Sequence, residues 1–160
     1  MGSLVAFEVA RLLRRRGYSP ERLIAAALRP PHIPHRGRRL HILPHDEFAD
    51  AIRLLKGTPD AVLQNRELMS LVLPAIHSDF RAYETYSYAD EPPLDCAISA
   101  MGGVSDASVT REELDQWRQH TTAGFTIRTF PGGHFFMHEA RPQLLGAQRH
   151  DLCRPACAAA

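Results

Sequence analysis

Three short apolar runs, Arg22–Leu28, Leu94–Met101 and Phe125–Phe130, alternate with stretches of helical period in the order helix, strand, helical insertion, strand, helix, strand, helix. Strands joined through helical crossovers pair in parallel, with right-handed connections. The sequence therefore predicts an α/β fold on a parallel sheet of about three strands. The stretch between the first two strands is far longer than an ordinary connection and is itself helical. It predicts an inserted lid over roughly residues 44–90.

Each element has its own signal. Leu4, Val5, Phe7, Val9, Leu12 and Leu13 recur at helical spacing, Arg11, Arg14, Arg15 and Arg16 gather where the dipole favours cations, and Gly17 ends the helix. The apolar positions of its first two turns cover more of the circumference than one buried stripe requires. Such a helix expects neighbours on several sides, and no cap, leader or strand precedes it. Either it is unusually exposed or the sequence begins midway through a fold. Arg22–Leu28 reads as a strand buried on both faces, although its three alanines also permit a helix. Arg29–His35 carries three prolines and is a loop.

The insertion opens with a helix capped by Asp46 that carries Phe48, Ile52 and Leu55 on one face and stops at Gly57. Thr58 and Pro59 predict the cap and first residue of a short helix through Leu63. Asn65 caps a longer one bearing Leu68, Leu71, Val72, Ala75, Ile76, Phe80 and Tyr83, bent at Pro74. The second strand ends at Gly102-Gly103. Thr110 and Glu113 form a capping box that opens a helix through His120. The third strand turns Thr126 and Arg128 to a wetter side and ends at Pro131-Gly132-Gly133. A last helix runs from about Phe135 to His150, giving one domain over 1–152 and a frayed tail over 153–160.

Composition excludes several classes. Hydrophobic residues are 44% and charged residues 23% of 160, which is globular rather than disordered. Nineteen Lys and Arg against 18 Asp and Glu leave a charge of +1, so neither nucleic acid nor an anionic membrane is an expected partner. No apolar run reaches the roughly 18 residues of a spanning helix. Cys96, Cys153 and Cys157 build no disulfide framework and no secretory leader is present, which predicts a cytoplasmic protein.

In open α/β sheets ligands bind beyond the C-terminal ends of the strands. Asp106 follows the second strand in Gly102-Gly103-Val104-Ser105-Asp106, and His134 follows the third in Pro131-Gly132-Gly133-His134. An imidazole that takes and returns a proton needs an acceptor on its other nitrogen, and a carboxylate on the neighbouring loop supplies one. Asp106 and His134 are thus the candidate orienter and base of a triad. The competing reading makes each a helix or loop cap.

In α/β hydrolases the order is nucleophile, acid, histidine, with the nucleophile at a strand-to-helix turn of pattern Gly-x-Ser-x-Gly. Met1-Gly2 followed by a buried helix is what remains when Gly-x-Ser is removed, so the serine would precede Met1 and Met1 would donate an oxyanion-hole N–H. Ser3 is a rival nucleophile; already in the helix, it is better suited to an N-cap.

At this point a family is recognisable. Met1-Gly2-Ser3-Leu4-Val5-Ala6-Phe7-Glu8-Val9-Ala10 resembles the segment after the catalytic serine of type II thioesterases, the stand-alone α/β hydrolases that accompany nonribosomal peptide and polyketide synthases. The likeness continues through Arg29–His35, Leu43-Pro44-His45-Asp46-Glu47-Phe48, Leu73-Pro74-Ala75-Ile76, Asp79-Phe80, Glu84-Thr85-Tyr86, Pro92-Pro93-Leu94-Asp95-Cys96, Trp117–Thr122 and Phe130–Phe136. It implies the C-terminal portion of an α/β-hydrolase fold, with Asp106 and His134 on the triad acid and base. The implied activity is hydrolysis of aberrant or finished acyl groups from phosphopantetheine carrier proteins in antibiotic-type secondary metabolism, without a cofactor or metal. The alternative is a non-catalytic fragment that binds an acyl-carrier protein or acyl chain, because the nucleophile is missing and the chain alone is then inactive.

Other groupings carry less. His32, His35, His41 and His45 crowd one loop at spacings that fit no standard metal site. Tyr83, Tyr86 and Tyr88 are candidates for an acyl path or for lid packing. Arg14–Arg16 suit either an acidic carrier or solvation, Cys153 and Cys157 read as free thiols, and Trp117 belongs in the core.

Overall fold

The computed structural model describes residues 1–55 and 57–153. The predicted tail beyond Cys153, Cys157 included, lies outside the described residues. The chain divides into two compact units: Pro34–Tyr88 with Met1, and Gly2–Ile33 with the chain from Ala89 on.

The second unit holds the sheet. Its strands are β1 (Arg22–Ala26), β2 (Ala97–Gly103) and β3 (Phe125–Phe130), in the order β1-β2-β3 and parallel throughout. Every residue of the central β2 is buried, as a strand with partners on both edges requires. Around the sheet lie α1 (Gly2–Arg15), α5 (Arg111–Asp115), a 3-10 turn (Gln116–His120), α6 (Phe136–Glu139) and α7 (Arg141–Cys153). The first unit holds α2 (His45–Leu54), α3 (Asp60–Leu63) and α4 (Arg66–Glu84).

Several boundaries differ from expectation, for identifiable reasons. β1 ends at Ala26 because Ala27 turns to φ 51°. β2 starts three residues late: Leu94 makes a lone bridge to Thr121, whose hydroxyl also donates to the Cys96 carbonyl at 2.7 Å. It then runs through Gly102 and Gly103, which pair with Thr129 and Phe130 instead of ending the strand. The helix after Thr110 keeps its capping box but tightens to a 3-10 turn at Gln116. That winding aligns residues three apart, and it turns Trp117 and His120 inward together. The last helix is two helices, since Pro142 has no N–H for the carbonyl of His138; α7 restarts with the proline in its first turn. α2 begins at His45, so Asp46 lies in its first turn and favours the dipole without capping. Pro59, not Thr58, holds the cap position of α3. Asn65 caps α4 as expected, accepting from Glu67 N and Leu68 N, and α4 is continuous through Pro74.

α1 buries Leu4, Phe7, Ala10 and Arg11, while Val5, Val9 and Leu12 remain 52%, 48% and 40% exposed. Gly17, at φ 78°, lets Tyr18 N–H reach back to the carbonyl of Leu13 and close the helix. The arginines of its last turns converge on Glu91: Arg11 at 2.7 Å, Arg14 and Arg15 at 2.6 Å each. They serve this clasp within the fold.

Two clusters fix the sheet's surroundings. Trp117 is fully buried, donates to the Leu28 carbonyl at 2.8 Å and meets the Phe7 ring edge-on. His120 lies against the same two rings and shares a 2.7 Å hydrogen bond with His32. Burial, the neighbouring His32 and Arg11 push its pKa down to about 4 against the pull of Asp90. Where α7 crosses the sheet, Asp151 accepts from Ser99 at 2.9 Å and from Arg128. Burial alone would raise its pKa, but the Arg128 and Ser99 hydrogen bonds hold it at about 2. Beyond these, Met101, Phe130, Phe136, Ala140 and Leu144 form one core.

The other unit has its own core of Phe48, Ala49, Ile52, Met69 and Leu73. Glu84, at the end of α4, accepts from Leu40 N–H at 2.8 Å and His41 N–H at 3.0 Å, tying the unit's first residues to its last helix. Among the described residues no helix is long and apolar enough to cross a membrane.

Two pH windows follow. His120 is neutral when folded and protonates readily when unfolded, so its contribution is complete above about pH 6.5 and falls away toward pH 4, on the order of 3 kcal/mol. Asp151 is the opposite ion type with its folded pKa depressed; its contribution is present above the ordinary carboxylate range and is lost as pH drops toward 2. Urea unfolding of His120→Phe is expected to show a smaller loss of stability between pH 6.5 and 4 than the parent, with the Asp151 loss below pH 4 retained.

Candidate active site

The site lies where β2 and β3 end side by side. Beyond Gly103 the chain turns through Val104, whose N–H donates to Phe130 O at 2.9 Å, and Ser105, whose N–H donates to Gly132 O at 3.0 Å. Those two bonds continue the ladder past the strands and pull the two loops together. A Cβ on Gly103 would stand 2.1 Å from the Gly133 carbonyl oxygen and 2.5 Å from that of Gly132. Gly132 itself has φ 108°, where side chains are strained, and a Cβ there would meet Glu139 Oε2 at 2.8 Å.

This approach delivers Asp106 to His134. Nδ1 of His134 is 2.9 Å from Oδ2 of Asp106, whose side chain is fully buried while that of His134 is 43% exposed. An ionised carboxylate only accepts, so Nδ1 carries the proton and donates, which leaves Nε2 with its lone pair. Asp106 is held from the other side: Oδ1 accepts from the Ser108 N–H at 2.8 Å and the Ser108 hydroxyl at 2.5 Å. Phe135 packs its ring edge-on to the imidazole at 5.1 Å between centroids. A buried carboxylate below and a half-exposed imidazole above can take a proton from a hydroxyl and return it to a leaving group.

A model of the thioesterase domain family matches residues 1–152. The chain belongs to the thioesterase domain family. Relatives of the chain include thioesterase PikA5 of Streptomyces venezuelae, 38% identical over 154 residues, covering 96% of this chain and 52% of that protein. Another is linear gramicidin dehydrogenase LgrE of Brevibacillus parabrevis, 40% identical over 149 residues, 91% of this chain and 57% of the other. Among solved structures, the type II thioesterase BorB from the borrelidin biosynthetic cluster superposes with TM-score 0.85 at 39% identity, over 94% of this chain and 61% of BorB. The parallel sheet and its helices are thus those of an α/β-hydrolase thioesterase. The chain spans between half and about three fifths of the length of these relatives.

The remaining predicted positions of the thioesterase chain fall as follows. Met1 stands just before α1 and is exposed. Ser3 is neither nucleophile-like nor an N-cap: its hydroxyl donates to Ala26 O at 2.9 Å and accepts from Ala26 N–H at 3.0 Å, which ties α1 to the end of β1. The four loop histidines do not converge on one point, although His35 and His41 both face Glu84. His32 pairs with His120 and Gln116, His41 bonds Glu84 at 2.5 Å, His35 stacks edge-on to Tyr83, and His45 lies exposed by Asp46. Among the described residues no group of three or more His, Cys, Asp or Glu could hold a metal. Tyr83, Tyr86 and Tyr88 are half-buried, and Cys153 is an exposed free thiol. Sequence reasoning passed over Ser108, whose only sequence signal is its place two residues after Asp106, where an Asx turn closes.

The two glycines of β2 separate by test. Gly103→Ala must displace backbone at Gly133, whereas a Cβ on Gly102 meets only the end of Leu114 at 2.5 Å. Gly103→Ala is expected to lower unfolding free energy by about 1–3 kcal/mol more than Gly102→Ala in denaturant titrations. Equal losses would mean the loops are free to separate.

Proposed function

We propose that this chain supplies the acid–base half of a serine thioesterase that clears acyl groups from the phosphopantetheine arms of carrier proteins in nonribosomal peptide or polyketide synthesis. The observation that carries it is the 2.9 Å bond between a buried Asp106 carboxylate and His134 Nδ1, in a chain of the thioesterase family. His134 Nε2 takes the serine proton as the hydroxyl attacks the thioester carbonyl, and returns it to the departing pantetheine thiolate. Asp106 steadies the imidazolium. Water then repeats both steps on the acyl-enzyme. Met1, at the N-terminal end of a 14-residue helix, is the proposed oxyanion donor, where the dipole favours negative charge.

The serine lies outside these 160 residues, N-terminal to Met1. Nowhere does the sequence contain Gly-x-Ser-x-Gly, and Ser3 is committed to the β1 backbone. The helical segment of about 44–90 acts as the lid over the acyl group, and the setting is cytoplasmic, with the synthase. The commitment of Ser3 also favours a second reading for the 160 residues alone, in which they bind the acyl-carrier protein without turnover.

Hydrolysis of an acyl thioester on a phosphopantetheinylated carrier protein tests both readings. The 160-residue chain is expected to bind the carrier and leave the thioester intact. With upstream residues that supply Gly-x-Ser, it is expected to turn over, and Asp106→Asn and His134→Ala should each lower kcat on the order of 10⁴-fold. Normal turnover by either variant would remove Asp106 and His134 from the mechanism.

A further inference from the structure

Resting on the reading of Asp106 and His134 as a proton-transfer pair, we propose that Ser108 is a positioning residue that holds the imidazole of His134 with its proton on Nδ1. The argument is a count of protons. Ser108 has one hydroxyl proton, and it goes to Oδ1 of Asp106 at 2.5 Å, the same oxygen that receives the Ser108 backbone N–H at 2.8 Å. The hydroxyl oxygen is then an acceptor. It lies 3.0 Å from His134 Nδ1, almost the 2.9 Å that separates Nδ1 from Asp106 Oδ2. The Nδ1 proton is therefore shared between two acceptors, carboxylate and hydroxyl, and each opposes the tautomer that would protonate Nε2.

The geometry gives the serine two functions at once. Its two donors occupy Oδ1, so the carboxylate cannot rotate away from the ring and Oδ2 stays aimed at Nδ1. Its oxygen is a second acceptor 3.0 Å from Nδ1, on a His134 side chain that is 43% exposed while that of Asp106 is not exposed at all. Ser108 is itself exposed and packs in no core, so replacing it leaves the fold intact. It touches no reacting atom in the proposed chemistry and acts through Asp106 and His134 only.

Proton NMR of the 160-residue chain labelled with ¹⁵N-histidine tests this without any turnover. The readout is the exchange of the His134 Nδ1 proton with water at pH 8. Ser108→Ala is expected to speed that exchange about three- to tenfold, the effect of one lost neutral hydrogen bond. Ser108→Thr, which keeps the hydroxyl, is expected to restore it to within about twofold. The Trp117 Nε1 proton, bonded to Leu28 O in the same unit, should exchange at the parent rate in both. Unchanged Nδ1 exchange in Ser108→Ala, or equal acceleration at Trp117, would overturn the role of Ser108. Asp106→Asn separates this proposal from the one beneath it. If that variant leaves the Nδ1 proton undisturbed, the Asp106–His134 pair itself fails; if it abolishes the signal while Ser108→Ala does nothing, only the serine's role fails.

Discussion

Residue 103 has room for a hydrogen and nothing larger, because an added Cβ would lie 2.1 Å from the Gly133 carbonyl oxygen. This contact lets the loops leaving β2 and β3 run within hydrogen-bonding distance of each other, Val104 to Phe130 and Ser105 to Gly132. Asp106 and His134 are then brought together by main chain, not by long side chains reaching across a gap. Main-chain placement costs little side-chain entropy, and it leaves the imidazole free to turn one nitrogen outward. The parallel pairing of β2 with both neighbours supplies the rigidity behind it, since all seven β2 residues are buried.

The elements around this contact are held by polar ties as much as by apolar packing. Asp151 joins α7 to Ser99 at the centre of the sheet and to Arg128 on β3. Glu91 gathers the arginines of α1, and Ser3 bonds both polar groups of Ala26. Such ties fix register where small residues, among them the alanines of β1 and β2, give shallow surfaces. Removing one partner of a buried carboxylate is costly, because the charge is left uncompensated.

The strands and helices were legible because period and punctuation agree: β3 runs from Phe125 to Phe130 as read, and the Thr110–Glu113 and Asn65 caps form as their residues predict. The misplaced ends have separate causes. Gly102 and Gly103 look like a stop signal in one dimension, yet the partner loop uses their missing side chains, which only the three-dimensional approach reveals. Pro142 was passed over inside a helical pattern, and Arg14 and Arg15 could not be matched to Glu91, some 76 residues away, from spacing. At the site, Asp106 and His134 were legible from their places after successive strands. Ser108 was not, since a serine two residues past an aspartate is ordinary turn chemistry until its oxygen is seen beside Nδ1.

The central proposal is that these 160 residues hold a proton-transfer pair whose nucleophile lies elsewhere. A fluorophosphonate, which phosphonylates activated serines with loss of fluoride, followed by peptide mass mapping, tests it most directly. The account predicts no stoichiometric adduct on the 160-residue chain, with Ser3 tied to Ala26 and Ser108 tied to Asp106. A stoichiometric adduct on Ser3, Ser105 or Ser108, lost in His134→Ala, would place the nucleophile inside the chain and contradict it.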